Sequence, residues 1–325
     1  REGALHRGLV GVVMDRTSIT LIDGQQGILL HRGYNIHDLA ERSTFEETAY
    51  LLLYGELPTQ PQLEIFSGRL KANRKIPDKV VGLIYNFKEG YPMDVLRTAV
   101  SALSTFDPYD RHDNSLEATL DRGIKPISQM PTIVMYHQNI REGRDPIQPS
   151  EGLNHAANFL YMMGGNEPSP GTARLMDREL IVHADHEIND SSLAARVAAG
   201  TKANLFEAVT AAIATLDGPA HGGAAEDVMK MVKEIGNPEN AAAYVRDLLE
   251  RGERITGFGH RVYKFEDPRA CHLEDGVQKL SQEAGNPTWY SILKAVQEQM
   301  EPFKARGIYP NVDFYSGIIY RALGI

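Results

Sequence analysis

Residues 43–55, STFEETAYLLLYG, carry the signals of an α-helix from beginning to end. Ser43 and Glu46 have the spacing of a capping box. Phe45, Ala49, Leu52 and Leu53 follow at intervals that line one helical face. Gly55 and Pro58 then stop it. The pattern predicts a helix over 44–54.

The same grammar recurs along the chain and makes the fold class mainly α. Helical periodicity bounded by Gly, Pro or Asn predicts helices over 60–71, 93–104, 127–139, 152–163, 174–183, 192–200 and 203–216. Further amphipathic helices are expected over 224–235, 241–250, 273–284 and 291–304. Almost the only strand signal is residues 18–33, SITLIDGQQGILLHRG, where two short apolar runs flank Asp23-Gly24 and predict a small hairpin. Residues 106–120, containing DPYDRHDNS, read as an exposed loop. No internal repeat is visible, which argues against a solenoid.

The bulk composition sets limits on function. The 325 residues are 42% hydrophobic and 24% charged, so an ordinary globular chain of one large or two moderate domains is expected. One helical domain with an inserted lobe fits as well as two tandem domains. A formal net charge of -9 argues against a general nucleic-acid or membrane-surface binder, and an anionic ligand would need a local basic pocket. The single cysteine, Cys271, excludes an internal disulfide and reads as an ordinary thiol of a reducing compartment. No apolar run reaches membrane-spanning length, and the first ten residues lack a signal peptide's apolar region. A cytoplasmic chain is the expectation.

Four short contexts concentrate the chemistry. In His183-Ala-Asp185-His186-Glu187 the two histidines stand three residues apart. The cluster could bind a metal, orient a carboxylate substrate or form a buried hydrogen-bond network. In Asp217-Gly-Pro-Ala-His221-Gly-Gly, the glycines leave the imidazole approachable, or His221 is an ordinary loop residue between helices. In residues 257–269, GFGHRVYKFEDPR, His260, Arg261, Lys264 and Arg269 make a basic patch on an acidic chain. It suits carboxylate or phosphate recognition, or is a solvated turn. In residues 309–317, YPNVDFYSG, Asp313 has apolar and aromatic neighbours, which would raise its pKa and make it a stronger base. Alternatively it caps the apolar run that follows.

Taken together and in order, HADHE, GPAHGG, GFGHRVYKFEDPRA and PNVDFYSG resemble the signature segments of citrate synthases. Residues 22–40, IDGQQGILLHRGYNIHDLA, and 45–59, FEETAYLLLYGELPT, resemble that family's opening segments, so the resemblance covers essentially the whole chain. It implies a mainly helical homodimer whose large domain, 1–221, and small domain, 222–323, close over a site between them. It implies condensation of acetyl-CoA with oxaloacetate followed by thioester hydrolysis, with no cofactor and no metal.

Matched motif by motif, His221 would hydrogen-bond the thioester oxygen, His260 would polarise the keto carbonyl, and Asp313 would be the base. His186 and Arg269 would hold the keto acid, with His183 supporting them. Candidates for CoA binding are Arg254, Gly257, Gly259, Arg261, Lys264, Lys304 and Arg306. The sequence departs from the family pattern in two places. Asn189-Asp190-Ser191-Ser192 stands where smaller, uncharged residues are expected, and the family carries a further arginine-bearing segment beyond the position of Ile325.

Three rivals stand beside this reading. A 2-methylcitrate synthase would use the same residues on propionyl-CoA, since one methylene is worth only about 1–3 kcal/mol in a pocket. A metal-dependent hydrolase could use His183, Asp185, His186 and Glu187, but it lacks an evident third ligand and leaves the GFGHRVY and PNVD segments unexplained. A non-catalytic relative would not need His221, His260 and Asp313.

Overall fold

A computed structural model describes residue 6 and residues 11–218, 221–283 and 285–325. The expected hairpin is present: β1 (Thr20–Asp23) pairs antiparallel with β2 (Ile28–His31), with Asp23 opposite Ile28, and a two-residue β3 (Tyr34–Asn35) extends the sheet in the order β1-β2-β3. The Asp23 carboxylate closes the turn by accepting the backbone N–H groups of Gln25 and Gln26. Everything after it is helical: α1 (Ile36–Arg42), α2 (Phe45–Tyr54), α3 (Gln60–Ala72), α4 (Asp78–Asn86), α5 (Pro92–Leu103), α6 (Leu116–Arg141) and α7 (His155–Gly164). There follow α8 (Pro170–Val182), α9 (Asp190–Gly200), α10 (Leu205–Leu216), α11 (Ala224–Ile235), α12 (Ala241–Glu250), α13 (Cys271–Glu283), α14 (Pro287–Met300) and α15 (Asp313–Leu323).

Helix α2 begins one residue later than its capping pattern suggests. Thr44 is the N-cap and forms the reciprocal box with Glu47. Glu46 is unavailable because it is buried and accepts the backbone N–H of His155 at 2.7 Å, tying α2 to the start of α7. The largest difference from expectation is α6, which starts well before residue 127 and runs through Pro126 and Pro131. Proline removes a helical donor and usually ends a helix, but this one is held by burial on both sides. Its first turns also organise the polar 107–113 segment: the fully buried Arg122 pairs with Asp107 and donates to the carbonyls of Asp110 and Asp113.

Among the described residues this packing makes two smaller clusters and two large cores. One is built from α4, α5, α6, α7 and α10 around Ile84, Val100, Ile133, Met162 and Phe206. The other joins the helices α11–α15 to β2, α1, α2 and α8, with Leu29, Ile36, Leu273, Leu293, Phe314 and Ile318 at its centre. No helix among the described residues is long and apolar enough to cross a membrane.

Candidate active site

Three of the four motifs meet where α8 ends, α15 begins and the loop between α12 and α13 passes between them. Residues 257–259 and 309–311 are laced together by backbone pairing. Phe258 bridges Pro310, the Gly259 N–H donates to the Tyr309 carbonyl at 2.8 Å, and the Asn311 N–H donates to the Gly257 carbonyl at 2.9 Å. Gly257 has φ +81°, and a Cβ there would lie 2.7 Å from the Phe314 ring, so glycine is required for the loop to lie against α15. On its other side the loop rests on the hairpin: the Lys264 N–H donates to the Gly24 carbonyl at 2.7 Å, and a Cβ on Gly24 would strike the Val262 carbonyl.

The loop geometry fixes the state of His260. Its Nδ1 accepts two backbone N–H groups, from Val262 at 3.1 Å and Tyr263 at 3.2 Å. A neutral imidazole with Nδ1 as acceptor carries its proton on Nε2. Burial, and then the Arg269 charge, pull its pKa down to about 4, so at neutral pH it is an uncharged, single-tautomer donor. His186 is also neutral, pulled to about 3 by burial and then by Arg269 and His260. Its Nε2 lies 3.0 Å from the Tyr263 hydroxyl, and its ring meets His260 edge-on at 5.1 Å.

Arg269 is buried and held by Asp267 through two parallel contacts, Nε at 2.9 Å and Nη2 at 2.8 Å. Its Nη1 makes no hydrogen bond among the described residues. Asp267 also accepts the Val312 N–H at 3.2 Å, which joins the arginine to the first turn of α15. There Asp313 is the first helical residue, its backbone N–H given to Asn311 Oδ1. Burial raises the Asp313 pKa, opposed by the charges of His183 and Arg269. His183 caps α8, with Nδ1 3.0 Å from the Glu179 carbonyl and 3.5 Å from the buried Glu179 carboxylate.

The remaining expected residues are placed differently. His221 is not in contact with this group: its Nε2 lies 3.0 Å from the Ser191 hydroxyl on α9. Ser191 belongs to the unusual 189–192 stretch, in which Asn189 caps α9, boxes with Ser192 and accepts the Ser191 hydroxyl at 2.8 Å, so that the Ser191 oxygen faces His221 as an acceptor. A cavity of about 400 Å3 opens beside Gly222 and Gly223, but Asp217, Glu226 and Asp227 line it with only Lys230 to balance them, the wrong charge for an anion.

Among the basic candidates, Lys264 and the 304–306 turn share one edge, where Gly307, at φ +73°, packs against the Lys264 carbonyl. Lys304 pairs with Glu301 at 2.8 Å and faces the Tyr309 ring, and Arg306 lies over Phe303. Arg254 and Arg261 are exposed.

Sequence reasoning missed Thr20 and His31, and with them the part that Asp185 and Glu187 play. His31 is fully buried and touches the Thr20 hydroxyl at 3.1 Å, while Thr20 in turn donates to Asp185. Glu187, at φ +57°, accepts the Ile22 N–H at 3.1 Å. The two carboxylates of HADHE thus pin their loop to the hairpin. The only signal was His31 within an apolar strand, where a buried imidazole must find a partner.

These contacts overturn the metal-hydrolase reading, because Asp185 and Glu187 are spent on Thr20 and Ile22, and His186 on Tyr263. The family model described as "Citrate synthase, C-terminal domain" matches residues 8–325. The chain belongs to the citrate synthase family. It is 44% identical to the citrate synthase of Deinococcus radiodurans over 98% of this chain and 85% of that protein. It is 38% identical to the 2-methylcitrate synthase of Mycobacterium tuberculosis over 98% of this chain and 80% of that protein. Among solved structures, the citrate synthase of Pyrobaculum aerophilum superposes with a TM-score of 0.91 at 40% identity, covering 98% and 82% of the two chains. A Thermoplasma acidophilum citrate synthase in ternary complex with carboxymethyl coenzyme A and oxaloacetate gives 0.91 at 32% identity, covering 99% and 85%.

Proposed function

We propose that this chain condenses acetyl-CoA with oxaloacetate and hydrolyses the product thioester to citrate and CoA. The observation that carries the reading is the His260 tautomer: two backbone donors hold Nδ1, so Nε2–H is left as a neutral donor for a keto oxygen. Beside it, the unspent Nη1 of Arg269 and the second ring nitrogen of His186 suit a substrate carboxylate. A neutral donor is appropriate, because it stabilises developing alkoxide charge without competing for the proton that the base must take.

Asp313 then acts as that base on the methyl carbon of the thioester. A thioester α-proton is weakly acidic, so its removal needs the enolate oxygen stabilised at once, the task of His221. Closure of a small domain, 222–323, on a large domain, 1–221, would bring His221 and Asp313 to one substrate and exclude water. The raised pKa of Asp313 strengthens it as a base once it is ionised. The basic edge of Lys264, Lys304 and Arg306 suits the CoA phosphates.

The test is CoA release followed with oxaloacetate and either acetyl-CoA or propionyl-CoA, for this chain, a C-terminally extended version and Asp313→Ala. Asp313→Ala should lower the rate by about 10²–10⁴-fold with the melting temperature little changed. A preference for propionyl-CoA would make the chain a 2-methylcitrate synthase. No oxaloacetate-dependent release with either thioester, even from the extended protein, would refute the condensing role.

A further inference from the structure

Directly after Arg269 in the chain, where α1 meets the start of α13, a cluster of three side chains takes no part in the chemistry above. His37 is the second residue of α1, and Cys271 and His272 open α13. His37 Nδ1 lies 2.8 Å from His272 Nε2 and 3.9 Å from Cys271 Sγ, and the three ligand atoms all lie within 4.8 Å of one another. Among the described residues this is the one place where three side chains of metal-binding type converge. We propose that His37, Cys271 and His272 bind a single borderline-soft divalent ion of the zinc type, which clamps α1 to α13.

The donor set is the reason to name that class of ion. Thiolate with two imidazoles suits zinc and disfavours magnesium or calcium, which demand oxygen ligands. Zinc–nitrogen bonds of about 2.0–2.1 Å and a zinc–sulfur bond of about 2.3 Å, set tetrahedrally, place ligand atoms roughly 3.4–3.6 Å apart. The two distances from His37, 2.8 and 3.9 Å, bracket that spacing, and the third pair lies within 4.8 Å, so closing on an ion takes shifts of about half to one ångström in side chains, two of which are exposed.

The surroundings agree. Burial, and then His37, pull the His272 pKa down to about 4, so its imidazole is neutral and has a lone pair to give. Glu41, one turn beyond His37 on α1, and Glu266 and Asp267 place negative potential on the cluster, opposed by Arg178. Burial, and then Glu266, push the Cys271 thiol pKa up, so the thiol stays protonated until an ion displaces its proton. Binding would release the thiol proton to solvent. The proton now shared between the two imidazoles would move to the outer ring nitrogen of one of them, leaving three protein ligands and an open fourth position for water.

The experiment uses the full chain, reduced and stripped of metal, titrated with Co2+ and read by absorption rather than by turnover. One equivalent should produce a thiolate-to-cobalt charge-transfer band, which Zn2+ then abolishes by displacement. Cys271→Ser should lose the band, and His37→Gln should weaken Co2+ binding at least tenfold, both with an unchanged far-ultraviolet circular dichroism spectrum. No band from the parent chain, a band retained in Cys271→Ser, or unchanged affinity in His37→Gln would each overturn the site. If Cys271→Ser fails to fold, the exposed His37→Gln decides alone.

Discussion

Among the described residues two arginine–aspartate pairs are buried on both sides, and they are buried for different purposes. Arg122 and Asp107 have side chains 0% and 5% exposed, and Arg269 and Asp267 are nearly as enclosed, at 8% and 2%. Arg122 engages every one of its three nitrogens within the protein, on Asp107 and on the carbonyls of Asp110 and Asp113. Arg269 spends two on Asp267 and keeps Nη1. Burial alone therefore does not distinguish a structural arginine from one that recognises a ligand; a guanidinium nitrogen left without a protein partner does.

The largest expected effect tests the scaffold pair. Arg122→Ala leaves the buried Asp107 with only Lys125, at 3.7 Å, to oppose its charge and should cost about 3 kcal/mol in denaturant unfolding. The specific activity of the folded fraction should be retained. A loss of activity without a loss of stability would erase the distinction between the pairs.

Arg269→Lys makes the reverse test. Lysine keeps the charge but cannot hold Asp267 with one edge of a planar fork while presenting another donor. The loss of a charged hydrogen bond, about 1.5–3 kcal/mol, should appear as a roughly 10–10²-fold fall in kcat/KM, mainly through KM for the keto acid. Stability should move less than in Arg122→Ala. An unchanged KM would mean that Nη1 does not meet substrate.

The smallest effect concerns histidines on the two sides. His155 in the scaffold and His186 in the site both have pKa values pulled down to about 3, in each case first by burial. A group whose folded pKa lies below its unfolded value of about 6.5 leaves the unfolded state with more protons once the pH drops below that value. Stability is then complete above about pH 6.5 and declines as the pH falls toward 3. For His155, 4% exposed, the decline should reach about 2 kcal/mol by pH 5. His155→Gln should flatten the stability–pH curve by that amount between pH 7 and pH 5, whatever it does to the absolute value. The acid limb of activity should instead follow Asp313, whose pKa lies above the usual 3.8, with no break near 6.5 from His260.

The comparison also shows how far the chain could be read directly. The helices 224–235 and 241–250 were bounded correctly because their apolar stripes end at Gly and Asn punctuation, where local and tertiary preferences agree. Helices α1, α4 and α15 were not delimited: α1 and α4 are short, and the apolar run of α15 does not show whether Asp313 caps the helix or enters it. Helix α6 was cut short because Pro126 and Pro131 signal a stop locally, and only packing on several sides overrides them.

Within the site, His260 beside glycine and Asp313 beside an aromatic ring stood out in a helical chain, while His186 and Arg269 were singled out by the charged clusters around them and by the resemblance of the motifs taken in order. The partners that give them their chemistry were not legible. Thr20, His31 and Tyr263 lie far in sequence from the groups they hold, and nothing local predicts that a backbone turn will claim His260 Nδ1. The sequence by itself determined the helical class, the hairpin and which residue types could carry proton transfer and anion recognition, since these follow from short-range periodicity and side-chain chemistry. Only the tertiary structure decided which histidine nitrogen bears the proton and which arginine keeps a free donor. Those depend on burial and on contacts between segments that the chain brings together only when it folds.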